Sequence, residues 1–418
     1  MDWGVWTGAY GLGDSIVKGL LTMPVVVPLA FFSAGLAGSA ARAAGDDGSE
    51  VKVTLKGGKL KLKSVDGDFE FALGGRVMAD TAMYFDDKSD LGNGSELRRA
   101  RLRAKGVVWK RWQFEGQYEF AGGDDHIRDA YIGYTGLEPW TLRVGHIKEP
   151  FSLENLTSSK YVTFMERALP NAFAPGRAVG ILASTRGGNW TLAGGLYSGT
   201  DAADSSEGDS AADVAARVTW LFPLAAETNM HVGFAAAYRD YGDDKEARIR
   251  QRPESHVTDA RLVDTGAFAA SDRSLYGLEA ALIKGRFSAQ GEYIVAHYSG
   301  DGDERDRDLD GYYAYVSWFL TPDSRGYSGG RGVFGQVKPA SIVGKGGRGA
   351  WEAALRYSAL DAEAEGGKQN NISLALNWYA TPTIRFSMNY VDVLSVDGGP
   401  RPRGNEPSLL QFRAQVEF

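Results

Sequence analysis

No cysteine occurs in the 418 residues, which excludes a disulfide scaffold, a thiol nucleophile and a cysteine metal site. Histidine is nearly as scarce, and the five, His126, His146, His231, His256 and His297, stand singly with no ligand spacing. No metal site and no cofactor motif is read. Beyond the N-terminus no uncharged run is long enough for a membrane helix, and mean hydropathy is -0.28, which argues against a helical membrane protein. Overall basicity is missing too. The formal net charge of -7 argues against wholesale nucleic-acid binding.

What is abundant is glycine and aromatic residues, with 54 Gly, 19 Tyr and 19 Phe, a composition suited to strands that alternate small and aromatic side chains. Arg99, Arg101, Arg103 and Lys105 occupy every second position of one segment, with Ala100, Leu102, Ala104 and Gly106 between them. Period two means a strand with one cationic and one apolar face. Adjacent like charges about 6.8 Å apart repel by roughly 0.6 kcal/mol in water and by more where solvation is poor. The ladder therefore needs water, carboxylates or anions beside it, and a transmembrane barrel with lipid outside and a wet channel inside supplies them.

Residues 18–43 read as a secretory signal peptide: Lys18 precedes an uncharged stretch that ends in Ala41-Arg42-Ala43, a small-residue cleavage pattern. Residues 1–22 read as an over-extended start, and 44–66 as a short periplasmic segment in which Val51, Val53 and Leu55 alternate with Lys52, Thr54 and Lys56. From 67 to 418 alternating segments recur, and we count sixteen, beginning with Phe69 to Phe85 and ending with Leu410 to Phe418. The fold class expected is all-β, a transmembrane antiparallel β-barrel.

Connections alternate between tight turns and long, carboxylate-rich loops, as an outer-membrane barrel requires. A long glycine-rich stretch at 321–348 breaks that alternation, and its role is not legible. Trp109, Trp112, Trp140, Trp190, Trp220, Trp318, Trp351 and Trp378 all lie beside even-to-odd connections, whether tight or, for Trp318 and Trp351, the stretch 321–348, which makes one interfacial girdle.

If Trp109-Lys110-Arg111 forms the turn after the ladder strand, Lys105 stands opposite Glu115, Arg103 opposite Gln117 and Arg101 opposite Glu119. Glu115 and Glu119 are then counter-charges to Lys105 and Arg101, while Arg99 and Arg103 keep net charge for an anion path. Either a structural charge lattice or such a path fits the pattern. Residues 149–177 hold Pro150, Phe151, Leu153, Leu156, Tyr161, Phe164, Met165 and Leu169, too apolar for a loop in water. Folded back as the third extracellular loop, they narrow the lumen with Ser158, Ser159, Lys160, Arg167 and Arg177.

The chain resembles the phosphate-selective porins of the O and P type over 69–418. Leu97-Arg98-Arg99-Ala100, Tyr134-Thr135-Gly136, Pro150-Phe151-Ser152-Leu153-Glu154, Thr157-Ser158-Ser159-Lys160, Phe164-Met165-Glu166-Arg167, Gly291-Glu292-Tyr293 and Leu376-Asn377-Trp378-Tyr379 carry the resemblance. It implies a sixteen-stranded homotrimer in the outer membrane of a Gram-negative bacterium, whose third loop enters the lumen. An arginine ladder would feed a constriction that binds phosphate. Arg98 and Arg99 match the family's paired arginines, and Ser158 and Ser159 its double serine. Where phosphate-specific members carry a loop lysine, this chain has Asn155, a change expected to weaken anion binding unless Lys160 or Arg128 replaces it.

The partners expected are inorganic anions (phosphate, polyphosphate or chloride) and outer-membrane lipid and lipopolysaccharide. Passage of general anions or small solutes, a receptor or adhesin, and a hydrolase remain alternatives. The last rests on Gly326-Tyr327-Ser328-Gly329-Gly330, which matches G-x-S-x-G without the strand-to-helix context that motif needs. No enzyme activity is expected.

Overall fold

Period-two alternation organises the chain from Phe69 onward into sixteen antiparallel strands. In this computed structural model residues 42–44, 50–56, 59–85, 87–88, 90–122, 126–198, 212–242, 245–400 and 404–418 are described. The expected signal peptide falls, apart from 42–43, outside the described residues, as do the over-extended start and the loop at 199–211.

The strands are β1 (Phe69–Phe85), β2 (Gly94–Val108), β3 (Trp112–Glu119), β4 (Ile127–Leu137) and β5 (Trp140–Lys148). Then follow β6 (Arg177–Arg186), β7 (Trp190–Ser198), β8 (Ala212–Ala225), β9 (Thr228–Asp240), β10 (Phe268–Lys284) and β11 (Phe287–Gly300). The last are β12 (Arg307–Phe319), β13 (Ala350–Asp361), β14 (Lys368–Tyr379), β15 (Ile384–Asp397) and β16 (Ser408–Glu417). Each pairs with its neighbour in sequence, and β16 returns to β1 with Val416 opposite Val77 and Leu410 opposite Met83. The sheet closes, so the barrel leaves no edge along these strands.

The faces are inverted relative to a soluble protein. On β16 Phe412 and Val416 are exposed while Gln411, Arg413, Gln415 and Glu417 are buried, and the same reversal repeats around the barrel. Apolar side chains face lipid and polar ones face inward. The tryptophans gather at the short-turn end: Trp190 stands opposite Trp220, and Trp351 stacks on Trp378 at 5.6 Å. The turn between β2 and β3 holds Trp109 and Lys110 at φ 49° and 62°, the left-handed geometry that tight hairpins use.

Apolar side chains also line part of the inner wall. Ala178, Leu182, Tyr197, Ala215, Ala235, Leu275, Ile294 and Ala296 pack with Phe151, Leu169 and Phe173 of the segment 149–176. That burial accounts for the apolar content that made this segment odd for a water-exposed loop. Where the wall is polar, its side chains bind the segment's backbone: Arg385 Nη1 donates to the Val162 carbonyl at 2.6 Å, Arg413 Nη1 to Met165 at 2.6 Å, and Asn377 Nδ2 to Thr163 at 3.0 Å. Glu292 accepts from the Leu153 and Glu154 amides at 2.9 and 2.7 Å, so these backbone groups are satisfied.

Two other connections reach the same face. In 241–267, Glu254 accepts from Ser373 Oγ at 2.7 Å and Ser255 bonds the Tyr84 hydroxyl at 2.6 Å. The stretch 320–349, unread from sequence, contains a small hairpin of Tyr327–Ser328 against Val333–Phe334. Phe334 packs with Leu153, Ala281 and Ile283, its amide donates to Thr157 Oγ1 at 3.3 Å, and the Arg325 guanidinium covers its ring at 3.7 Å. This connection thus packs against the segment 149–176 and inward-facing side chains of the wall.

A hairpin of Glu50–Lys56 and Lys59–Ser64 joins β1 at the short-turn end, with Leu60 opposite Leu73 and Lys63 opposite Glu70. It extends the sheet beyond the barrel rim and brings Lys52, Lys59, Lys61 and Lys63 there.

Candidate anion path along the inner wall

The register deduced from side-chain parity is the one observed: Arg101 stands opposite Glu119, Arg103 opposite Gln117 and Lys105 opposite Glu115. The ion pairs do not all follow it. Glu119 takes Arg101, with Nη2 at 2.8 Å and Nε at 3.0 Å, and lies 3.5 Å from Arg99 Nη1. Glu115 is held by Arg103 through Nε at 2.7 Å and Nη2 at 2.5 Å. The expectation that Glu115 neutralises Lys105 and leaves Arg103 unbalanced is therefore corrected. The planar fork of Arg103 reaches the diagonal carboxylate with two parallel bonds, which an ammonium cannot match. Lys105, exposed, makes no ion pair among the described residues.

A bulge explains the paired arginines. Met78 stands opposite Arg99 but Ala79 opposite Leu97, so Arg98 is an extra residue and both arginines reach the inner side, while Leu97, at 51% exposure, faces out. A second bulge sits on β4, where Gly116 opposes Ala130 but Tyr118 opposes Ile127. It sets Arg128 and Asp129 across from Gln117, whose Nε2 donates to Asp129 Oδ2 at 2.6 Å. Strict alternation, the signal used in the sequence, cannot locate either bulge.

The predicted loop residues have separate surroundings. Arg98 makes a bidentate pair with Glu166, at 2.8 and 2.9 Å, and Glu166 also accepts from Arg413 Nη2 at 2.9 Å. Burial works to raise the Glu166 carboxyl, yet Arg98, its hydrogen bond and Arg413 hold it well below the usual carboxylate range. Lys160 is paired with Glu417. Ser158 Oγ accepts from Arg76 Nη1 at 3.0 Å, and Ser159 Oγ is buried with no hydrogen-bond partner among the described residues. Arg167 donates to the carbonyls of Glu154, Asn155 and Thr157 at 2.9, 3.2 and 3.0 Å. The Arg128 carbonyl bonds His146 Nδ1 at 2.5 Å, and its neighbour Asp129 binds Arg177 at 3.1 and 3.2 Å.

Sequence reading missed Arg76, Asp129, Lys148, Glu166, Arg413 and Glu417. For all but Glu166, which lies in the connection 149–176, the signal was parity: each lies on an inward polar face or at a strand end, but nothing in one strand shows which other strand it meets. Chemically the wall from β1 to β6 presents many guanidinium and ammonium groups with fewer carboxylates among them, an arrangement that draws anions and repels cations at short range. Ser328 accepts from Arg331 Nε at 3.3 Å, whereas His231 faces the Tyr327 hydroxyl at 2.6 Å. The G-x-S-x-G match therefore forms no serine–histidine pair.

Comparison with known proteins gives a family model, phosphate-selective porin O and P, that matches residues 71–418. Porin O of Pseudomonas aeruginosa is 30% identical over 394 residues, covering 82% of this chain and 87% of that protein. An uncharacterized protein of Caulobacter vibrioides is 33% identical over 359 residues, covering 81% of this chain and 71% of that protein. Among solved structures, an anion-selective porin from Comamonas acidovorans superposes with TM-score 0.54 at 16% identity, covering 84% of this chain and 100% of that one.

Proposed function

The chain belongs to the phosphate-selective porin O and P family of the Gram-negative outer membrane, and we propose on that premise that it is a passive channel for phosphate and related anions. The observation that carries the reading is the wall from β1 to β6, where Arg76, Arg98, Arg99, Arg101, Arg103, Lys105, Arg128, Arg143, Lys148 and Arg177 outnumber the carboxylates Glu70, Asp80, Glu96, Glu115, Glu119 and Asp129. Excess fixed positive charge beside a narrow path concentrates anions there and repels cations.

In this reading residues 149–176 are the third extracellular loop, folded into the lumen as the constriction. Support comes from their hydrogen bonds to inward-facing Glu292, Arg385 and Arg413 and from the bond between Arg76 and Ser158. Arg98 acts through Glu166, anchoring the loop to β2, and Lys160 anchors it to β16 through Glu417. Arg99, Arg103 and Lys105 form the ladder that leads to it, and the amide and hydroxyl groups of Ser158 and Ser159 complete the donor set.

Three subunits assemble side by side in the membrane in this proposal, consistent with the fold shared with the trimer form of OmpT of Vibrio cholerae, at TM-score 0.52 and 13% identity over 84% of this chain and 99% of that one. The long acidic loops meet lipopolysaccharide at the outer surface. A channel for anions in general, with no phosphate preference, is the second reading, favoured by the bidentate neutralisation of Arg98 and Arg103. Titrating phosphate against the chloride current of the reconstituted protein separates the two. Block by phosphate at concentrations that leave ionic strength unchanged supports the phosphate reading, and current unaffected by phosphate supports the second.

A further inference from the structure

Three cations in or beside the segment 149–176, like Lys105 of the ladder, make no ion pair among the described residues. Arg76 donates through Nη1 to Ser158, and its buried Nε has no acceptor among the described residues. Arg167 is bound only to main-chain carbonyls. Lys148, the last residue of β5, donates through Nζ to the Asn155 carbonyl at 2.6 Å. Lys148 and Arg167 thus converge on one carbonyl oxygen. Such an oxygen has two lone pairs but no net charge, so it orders the two cations without neutralising either.

The surroundings increase the surplus. Lys148 stands directly opposite Arg177 across the β5–β6 pair, and like charges in that relation repel. Asp129 already binds the Arg177 fork at 3.1 and 3.2 Å and the Gln117 amide at 2.6 Å. Arg167 is an electrostatic neighbour of both Arg76 and Lys148, and of Glu154 and Glu166, which Arg356 and Arg98 already hold. The Asn155 side chain takes no part, because its Nδ2 is turned into the segment and donates to the Pro175 carbonyl at 2.9 Å.

Resting on the anion-channel reading above, we propose that Lys148 supplies from the barrel wall the cation that makes the constriction prefer multivalent oxyanions to chloride, with Arg76, Ser158 and Arg167 completing the site. An oxyanion of charge two or more answers several donors at once, whereas chloride is a single weak acceptor. Lys148 is then a specificity-determining residue in the wall, and position 155 contributes a carbonyl in place of a charged side chain.

The test uses the reconstituted full-length mature protein and inorganic phosphate. In planar bilayers K148Q raises the phosphate concentration that halves the chloride current by about tenfold, keeps its reversal potential on the anion side, and K148R restores the block. Unchanged block in K148Q overturns the proposal. A second measurement needs no variant: in the wild-type protein phosphate shields Lys148 from an amine-acylating reagent, read by mass spectrometry, while leaving exposed Lys368 equally reactive. Equal labelling of Lys148 with phosphate and with chloride at matched ionic strength overturns it as well. Cation-selective wild-type current removes the channel reading itself, whereas an anion-selective, phosphate-blocked wild type with an indifferent K148Q removes this inference alone.

Discussion

Arg103 passes over the residue directly opposite it and binds Glu115 diagonally, through Nε at 2.7 Å and Nη2 at 2.5 Å. That one pair decides which ladder cation is balanced. Arg103 is 37% exposed at its side chain and neutralised, while Lys105 is exposed and makes no ion pair among the described residues, so the mobile charge of the lower ladder belongs to the lysine.

Because either change removes one positive charge and R103Q also frees Glu115 to meet Lys105 opposite it, R103Q weakens anion preference at least as much as K105Q does. The E115Q variant, with Arg103 released, is more anion-selective than wild type. Reversal potentials of the three variants in one chloride gradient check the order. A shift of E115Q toward cation selectivity would contradict it.

Glu119 is nearly inaccessible and Arg101 is 7% exposed at its side chain. Removing one partner of such a pair leaves an uncompensated charge, at a cost of about 3–5 kcal/mol, reduced here by Arg99 and by lumenal water. We expect R101A and E119A each to lower the unfolding midpoint in denaturant, and R101A/E119A together to cost less than the sum of the two. Additive losses would show that the pair is not coupled.

How much of this was legible in the sequence depends on range. Strand count, girdle and the β2–β3 register rest on period two and on neighbouring strands, and Lys105, Glu115, Arg101 and Glu119 fell into register from a turn of three residues. Partners brought together by closure of the barrel or by the segment 149–176 did not: Glu417 meets Lys160, and Arg413 meets both Asp80 and Glu166, over distances in sequence that no local pattern encodes. Position 98 shows the limit within a strand, because a bulge breaks the period on which the reading relied.

Arg98 is the extra residue of that bulge. Its deletion leaves Leu97 facing lipid and Arg99 facing inward, so a ΔArg98 barrel is expected to fold, with the normal heat-dependent gel shift. It loses the bidentate bond to Glu166, and trypsin cleavage after Arg167 is expected to quicken. A barrel that fails to assemble would show that the bulge sets the register of β1 and β2.

Glu166 has a depressed carboxyl pKa, so its stabilising contribution is present above the ordinary carboxylate range and is lost only as pH falls through its lower value in the folded protein. From pH 8 to pH 5 it stays charged. The difference in single-channel conductance between E166Q and wild type is therefore expected to be the same at both pH values, and a difference that vanishes at pH 5 would contradict the assignment.

The central claim is that fixed positive charge on the inner wall makes this barrel an anion channel. The measurement that meets it most directly is the reversal potential of the wild-type protein and of R99A/K105A across a chloride gradient in planar bilayers. We predict an anion-selective wild type and loss of that preference in the double variant. An unchanged potential in R99A/K105A, or a cation-selective wild type, would contradict it.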